Sequence, residues 1–194
     1  MAKVNGDHRN VATVEYPGGK DDDDAKVQTE EVKLLIKKYV SSALAGSYDD
    51  SSATIANNNT AYFKLVVSGA TNSLTGFRVE DTLDNAKLQY LTDSEKLASN
   101  AFTGVITFGA NNPSKPAYTI TPVVVTGASE TKITWTVKMA EGAYFMPGDS
   151  LEIIFMTKKL QNTDNTAYVY YPKRDGTEGS DKDPASVTYT SGGG

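Results

Sequence analysis

The 194-residue chain has no cysteine and one histidine, His8. Without cysteine there is neither a disulfide nor thiolate chemistry. A single histidine near the N-terminus excludes a histidine-based catalytic triad or a multi-histidine metal site in the body of the chain. We expect no enzyme activity and no cofactor, and we assign no residue to a metal site.

The chain also lacks a basic stripe and a long apolar run. Its net charge of −5 argues against a nucleic-acid partner, because few cations are available to displace phosphate counterions. No apolar run reaches the length of a membrane-spanning segment. "MAKVNGDHRN" lacks the apolar core of a signal peptide, so a secreted protein would contain this chain as a piece of something longer.

Helical periodicity is scarce, whereas strand patterns recur at short spacing. One short helix is predicted at 93–101, on a connection, and Pro122 marks an edge strand or a bulge. An antiparallel β-sandwich is the fold that such a pattern favours, with Trp135 in its core. The predicted strands are 32–40, 60–69, 74–83, 104–109, 117–127, 131–139, 150–159, 165–173 and 185–191.

Three polar residues fall on the inward side of these strands by the period-two count. They are Lys38 in "VKLLIKKYV", Asp81 in "FRVEDTL" and Asn165 in "NTAYVYYP". Burial of isolated charges is costly, so a buried lysine tends to lose its proton and a buried acid to keep one. A neutral amine is a nucleophile, and a protonated acid can polarise a carboxamide.

If the three side chains meet, the amine of Lys38 can attack Asn165 while Asp81 shuttles the proton. The product is a Lys–Asn amide bond, formed once per molecule with loss of ammonia. The competing candidate Lys37 lies on the opposite face by parity. Each residue also has an ordinary explanation: a lysine with its stem buried and its head in water, and two local turn residues.

The order of these motifs resembles the repeat domains of bacterial surface adhesins and pilins, above all the fimbrial isopeptide-forming domains. The resemblance covers roughly residues 32–172 and includes "ITWTVKMAEGAYFMPGDSLEIIF". It implies an immunoglobulin-like, collagen-adhesin-type sandwich in which Lys38 and Asn165 form the cross-link and Asp81 is the assisting acid. The chain departs from the family at "DNA" (84–86), where the family has Pro-Gly.

The N-terminal segment contains a second copy of the last strand motif. "NVATVEYP" (10–17) parallels "NTAYVYYP" (165–172), and each is followed by a charged stretch and a valine. Residues 1–26 are therefore predicted to be the tail strand of a preceding repeat or a donor strand, with an acidic linker. The sandwich then occupies 27–191, and 192–194 form a linker. Asn10 is a candidate partner for another chain's lysine.

The expected function is that of a structural module of a surface adhesin, pilus or extracellular filament. The alternatives are a filament subunit joined by N-terminal strand donation and an adhesin module that binds a host protein or glycan. The expected partners are neighbouring copies of the same domain, and the expected location is extracellular, at the cell surface. The acidic stretches Asp21–Asp24 and 175–183 leave calcium binding as an open alternative.

Overall fold

The computed structural model describes residues 8–27 and 31–190, and strands dominate this part of the chain. Strand propensity and alternation set the bounds of the core strands, because apolar residues recur at every second position of long strands such as Thr60–Ser68 and Glu130–Met139. The strands, in chain order, are β1 His8–Tyr16, β2 Gly19–Val27, β3 Leu35–Ser41, β4 Ser52–Thr54, β5 Thr60–Ser68, β6 Gly76–Asp84, β7 Leu88–Tyr90, β8 Val105–Thr107, β9 Tyr118–Thr126, β10 Glu130–Met139, β11 Ser150–Lys159, β12 Thr163–Pro172 and β13 Glu178–Thr188.

Two sheets form the body of the molecule, and a separate hairpin pairs β1 with β2. The larger sheet has the order β4-β13-β12-β6-β10-β9, and the smaller has the order β3-β5-β11-β7 with β8 also paired to β11. Neighbouring strands are antiparallel, except that β4 runs parallel to β13. The prediction of an antiparallel sandwich is confirmed, and β9, which contains Pro122, is an edge strand as expected.

The core lies between the two sheets and is rich in aromatic rings. Trp135 is fully buried, as the sequence predicts, and its ring centroid lies 5.7 Å from that of Phe155 and 5.8 Å from that of Phe102. Phe63 stacks on Phe155 at 5.3 Å. The indole Nε1 of Trp135 donates a hydrogen bond to the Phe102 carbonyl at 2.8 Å, so the polar edge of this large ring is satisfied inside the core.

The connection after β7 differs in kind from the predicted helix. It contains two short 3-10 segments, Thr92–Lys96 and Ala98–Asn100, separated by Leu97. No side chain caps the first segment; the Ser94 hydroxyl instead donates to the Leu91 carbonyl at 2.6 Å. The acidic stretch expected to be a linker also differs, because Asp21–Asp24 lie within β2.

Side chains from β13 close the free edge of β3. The Ile36 amide donates to Asp181 Oδ2 at 2.9 Å, and the Lys38 amide donates to Asp183 Oδ2 at 2.8 Å. These two carboxylates satisfy backbone donors that an edge strand would otherwise leave open, and they join the two sheets along one side. The segment 175–183, considered above as a calcium loop, thus supplies a structural clamp.

The core architecture predicts the effect of changing Trp135 to phenylalanine. Trp135→Phe removes ring volume and leaves the Phe102 carbonyl without its donor, so we expect a loss of about 2–4 kcal/mol in the free energy of unfolding. Urea unfolding followed by circular dichroism measures this loss. Thr134→Val, on the outward side of the same strand, is the control and should change stability by less than about 0.5 kcal/mol. Equal effects of the two substitutions would contradict the assignment of Trp135 to the core.

Candidate functional site: a buried lysine, aspartate and asparagine

Three strands from the two sheets bring Lys38, Asp81 and Asn165 together in the interior. Lys38 comes from β3 in the smaller sheet, and Asp81 and Asn165 come from β6 and β12, which are neighbours in the larger sheet. Lys38 and Asp81 are 0% exposed and Asn165 is 6% exposed. All three side chains therefore lie on the inward face of their strands, as the period-two count predicts.

Asp81 bridges the other two side chains. The Lys38 ammonium nitrogen Nζ donates to Asp81 Oδ2, and the carboxamide nitrogen Nδ2 of Asn165 donates to Asp81 Oδ1 at 2.6 Å. Both carboxylate oxygens therefore have a partner. Because these hydrogen bonds replace those that water would make, the three polar groups can occupy a site without solvent.

Aromatic rings form the wall around the amine. Nζ of Lys38 lies 4.5 Å from the ring centroid of Phe63 and 5.5 Å from that of Phe155. Trp135 packs behind Phe155 and excludes water from that side. The rings give the amine a favourable cation–π environment when it is charged and an apolar one when it is neutral.

Burial acts in opposite directions on the two ionisable groups. It lowers the pKa of the Lys38 amine from its ordinary value, and the attraction of Asp81 and Asp183 only partly offsets this. Burial likewise raises the pKa of the Asp81 carboxyl, against the opposing effects of Lys38 and Asn165. Both shifts favour the neutral pair, a free amine beside a protonated acid.

The orientation of the carboxamide differs from the sequence-based expectation. Asn165 presents its nitrogen to Asp81, so the acid is placed to protonate the leaving nitrogen rather than to polarise the carbonyl. Amine and carboxamide each contact one oxygen of the same carboxyl group. A single carboxyl can therefore take a proton from the attacking amine and give one to the departing nitrogen.

Asp183 is a second contributor that the sequence argument missed. Its carboxylate holds the backbone amide of Lys38 at 2.8 Å and thereby fixes the strand that carries the amine. It also lies 3.6 Å from the ammonium of Lys37. The available signal was the alternation of Asp181 and Asp183 before "ASV", which is a strand pattern; the surrounding glycines and charges concealed it.

Two other lysines lack the features of this site. The side chain of Lys37 is 59% exposed and points away from the core, as its parity predicts. Lys159 is fully buried, and its Nζ donates to Asn57 Oδ1 at 2.7 Å. In the described part of the chain no carboxylate contacts Lys159, so it meets a carboxamide without an acid.

The remaining predicted sites fall in the N-terminal hairpin, on residues whose side chains lie outside the described part of the structure. Asn10 lies in β1 opposite Ala25, but its side chain is outside the described part of the structure. The same holds for Asp21–Asp24, whose calcium binding stays an open alternative. Among the described residues there is no cluster of three or more histidine, cysteine or acidic side chains suited to a metal ion.

The fold resembles that of pilin and adhesin domains. A variant of BcpA, the major pilin subunit of Bacillus cereus, matches over 94% of this chain and 49% of its own, with 14% identity and a TM-score of 0.52. The C-terminal domain of BspA, an antigen I/II polypeptide of Streptococcus agalactiae, matches over 93% of this chain and 58% of its own, with 12% identity and a TM-score of 0.47. The full-length major pilin SpaD of Corynebacterium diphtheriae matches over 79% and 34%, with 16% identity and a TM-score of 0.38.

These likenesses concern architecture, since the identities are low and the chain spans about half the length of the BcpA chain that it matches. No family model and no curated protein sequence matches the chain. The fold is thus an immunoglobulin-like β-sandwich, similar to that of the pilin BcpA. In the described residues no helix is long and apolar enough to cross a membrane.

The pKa shift of Asp81 predicts a pH-dependent loss of stability once its partner is removed. In Lys38→Met the acid stays buried with a raised pKa, so the folded state binds more protons than the unfolded state above about pH 4. Stability should be greatest below that pH and fall by about 1.4 kcal/mol per pH unit until the raised pKa is reached. Urea unfolding at a series of pH values measures this slope.

The double variant Lys38→Met, Asp81→Asn is the control for this slope, because it has no buried carboxyl. The difference in slope between the single and the double variant isolates Asp81 from all other titrating groups. Identical slopes would contradict the raised pKa of Asp81.

Proposed function

We propose that this chain is a structural module of a bacterial surface pilus or adhesin, stiffened by an isopeptide bond between Lys38 and Asn165. The observation that carries the proposal is the bridging of a buried amine and a buried carboxamide by one buried carboxyl group. The fold, which resembles that of pilin and adhesin domains, supports the surface assignment. The location we propose is extracellular, and the partners are neighbouring copies of the domain.

The reaction balances without a cofactor. Nζ of Lys38 attacks the side-chain carbonyl carbon of Asn165, and a carbon–nitrogen bond forms between them. Asp81 accepts a proton from the attacking amine and delivers one to the departing nitrogen, whose bond to the same carbon breaks. Ammonia leaves, and Asp81 returns to its initial state. The reaction occurs once per molecule, so the protein matures and does not act as an enzyme.

The bond would carry mechanical load between two regions far apart in the chain. Lys38 and Asn165 are separated by 127 residues, and a cross-link over a loop of this length stabilises a fold by roughly 5 kcal/mol in the chain-entropy account. Because β3 lies near the start of the sandwich and β12 near its end, tension applied to the two ends would pass through the covalent bond. This arrangement suits a spacer in a stalk or filament.

Removal of the bridging acid should prevent bond formation. In the wild-type chain, a protease digest should contain the peptide with Lys38 joined to the peptide with Asn165. In Asp81→Asn both reacting groups remain, but no carboxyl transfers the proton, so the two peptides should appear separately. Mass spectrometry of the digest makes this measurement.

Asp164→Asn is the matched control. The Asp164 carboxylate is exposed, is next to Asn165 in sequence, and accepts a hydrogen bond from the Ser186 hydroxyl rather than from the reacting groups. Its digest should contain the joined peptide, as in the wild type. A joined peptide from Asp81→Asn at the wild-type level would contradict the role of Asp81.

Force applied to the two ends should reveal the bond directly. In single-molecule pulling, the wild-type chain should extend by about 430 Å less than Lys38→Ala, because the 127 residues between the linked side chains stay closed. Lys37→Ala is the control and should behave like the wild type. Full extension of the wild-type chain would be incompatible with the cross-link.

A further inference from the structure

The N-terminal hairpin has the same strand register as the hairpin that carries Asn165. In β1–β2, Asn10 lies opposite Ala25 and Tyr16 lies opposite Gly19. In β12–β13, Asn165 lies opposite Ala185 and Tyr171 lies opposite Gly179. The register thus agrees from one end to the other, although the second hairpin has one further residue pair, Pro172 and Glu178, and a longer connection (173–177 against 17–18).

Within the paired strands β1 and β2, the residues identical to the second hairpin fall at alternate positions. From Asn165 to Val187, every paired residue of β12–β13 on the core-facing side has an identical counterpart in β1–β2, whereas Thr163 has His8 as its counterpart. The paired residues on the other side of β1–β2 all differ from their counterparts, and Pro17, just beyond β1, matches Pro172. The identical pairs are Asn10 and Asn165, Ala12 and Ala167, Val14 and Val169, Tyr16 and Tyr171, Gly19 and Gly179, Asp21 and Asp181, Asp23 and Asp183, Ala25 and Ala185, and Val27 and Val187. Neighbours directly opposite in an antiparallel pair share a face, so the identical residues form one face of each hairpin.

A local packing detail repeats as well. The ring of Tyr171 lies so close over Gly179 that a Cβ atom there would come within 2.3 Å of the ring. The side chain of Tyr16 covers Gly19 in the same way, with its hydroxyl 3.2 Å from the position of such an atom. The two hairpins therefore share side-chain packing at this end in addition to register.

The shared face is buried in one hairpin and uncovered in the other. Val169 and Tyr171 are 0% and 6% exposed, whereas Val14 and Tyr16 are 64% and 56% exposed. A two-stranded hairpin without a packed face is at best marginally stable in water. The face of β1–β2 thus has the composition of a core surface but lacks the sandwich against which β12–β13 packs.

The same face carries the groups that the β12–β13 position requires. Asn165 supplies the carboxamide that meets Asp81, and its counterpart is Asn10. Asp181 and Asp183 close the edge of β3, and their counterparts are Asp21 and Asp23. In the sandwich, β3 and β6 bind this set of residues from β12–β13. The β3 and β6 of a second copy therefore offer matching partners to β1–β2.

We propose that residues 8–27 are a donor hairpin that takes the β12–β13 position in the sandwich of a second copy of this chain, where Asn10 meets that copy's Lys38 and Asp81. The proposal rests on the proposed function, because it uses the same chemistry between two chains. Nζ of the second copy's Lys38 bonds to the side-chain carbonyl carbon of Asn10, and the Asn10 nitrogen leaves as ammonia. Replacement of β12–β13 by a hairpin with the same register and the same core-facing residues keeps the sandwich complete, and it must precede closure of the internal bond.

The test uses the full chain with Asn165→Ala, which keeps Lys38, Asp81 and the donor hairpin but removes the internal carboxamide. The variant is unfolded in urea at high concentration and refolded, so that both hairpins compete for each sandwich. We expect multimers that persist in a denaturing gel and have lost one ammonia per joint. Digestion of these multimers should release the peptide with Asn10 joined to the peptide with Lys38.

The matched control is Asn10→Ala, Asn165→Ala, which should give monomers of full sequence mass. Asn165→Leu, closer in size to asparagine, is the second variant, and Trp135 emission reports folding in both. Wild-type protein taken directly from a high-level expression culture, in which donation can precede closure of the internal bond, provides a measurement independent of these substitutions: any multimer band should contain the same Asn10–Lys38 joint.

Two results would overturn the donor hairpin. One is the absence of the Asn10–Lys38 joint from the refolded variants and from the wild type, while the wild type still shows the internal Lys38–Asn165 joint; the proposed function then stands. The other is a monomeric Asn165→Ala chain that has lost ammonia, which would place Asn10 in its own sandwich. A wild-type chain without the internal joint counts against the proposed function instead.

Discussion

The cost of burying the amine of Lys38 is the constraint on which the site depends. An unpaired ammonium in a dry interior is unfavourable by several kcal/mol, even after relaxation. Asp81 removes this cost, and Asn165 satisfies the remaining oxygen of Asp81. The three side chains are therefore acceptable inside the sandwich only as a set. The same burial that makes the set necessary also shifts both pKa values toward the neutral, reactive pair.

The sandwich topology keeps that set in place. β6 and β12 are neighbours in the larger sheet, so Asp81 and Asn165 are held side by side on one inner face. β3 belongs to the opposite sheet, and β13 joins it to the larger sheet through Asp181 and Asp183. The clamp holds the backbone amide of Lys38 itself, so the position of the amine depends on the same C-terminal hairpin that carries the carboxamide. The first and last parts of the sandwich are thus connected before any covalent bond forms.

Period-two alternation made much of this predictable from the sequence. Because side chains alternate strictly between the two faces of a strand, the parity of Lys38, Asp81 and Asn165 against their apolar neighbours placed all three inside and Lys37 outside. Alternation does not report which strands pair. The clamp by Asp181 and Asp183 was missed for this reason, and because charged residues between glycines resemble a loop. β2 was also missed, because aspartate is uncommon in strands and the run of four aspartates shows no apolar alternation.

The proposed cross-link requires that the buried amine and carboxamide react with each other. The most direct test is the intact mass of the wild-type chain, measured after complete unfolding so that only covalent bonds survive. If they react, the monomer is lighter than its sequence by one molecule of ammonia. A wild-type monomer with the full sequence mass would contradict the cross-link, and would leave the three residues as a buried polar cluster with a structural role only.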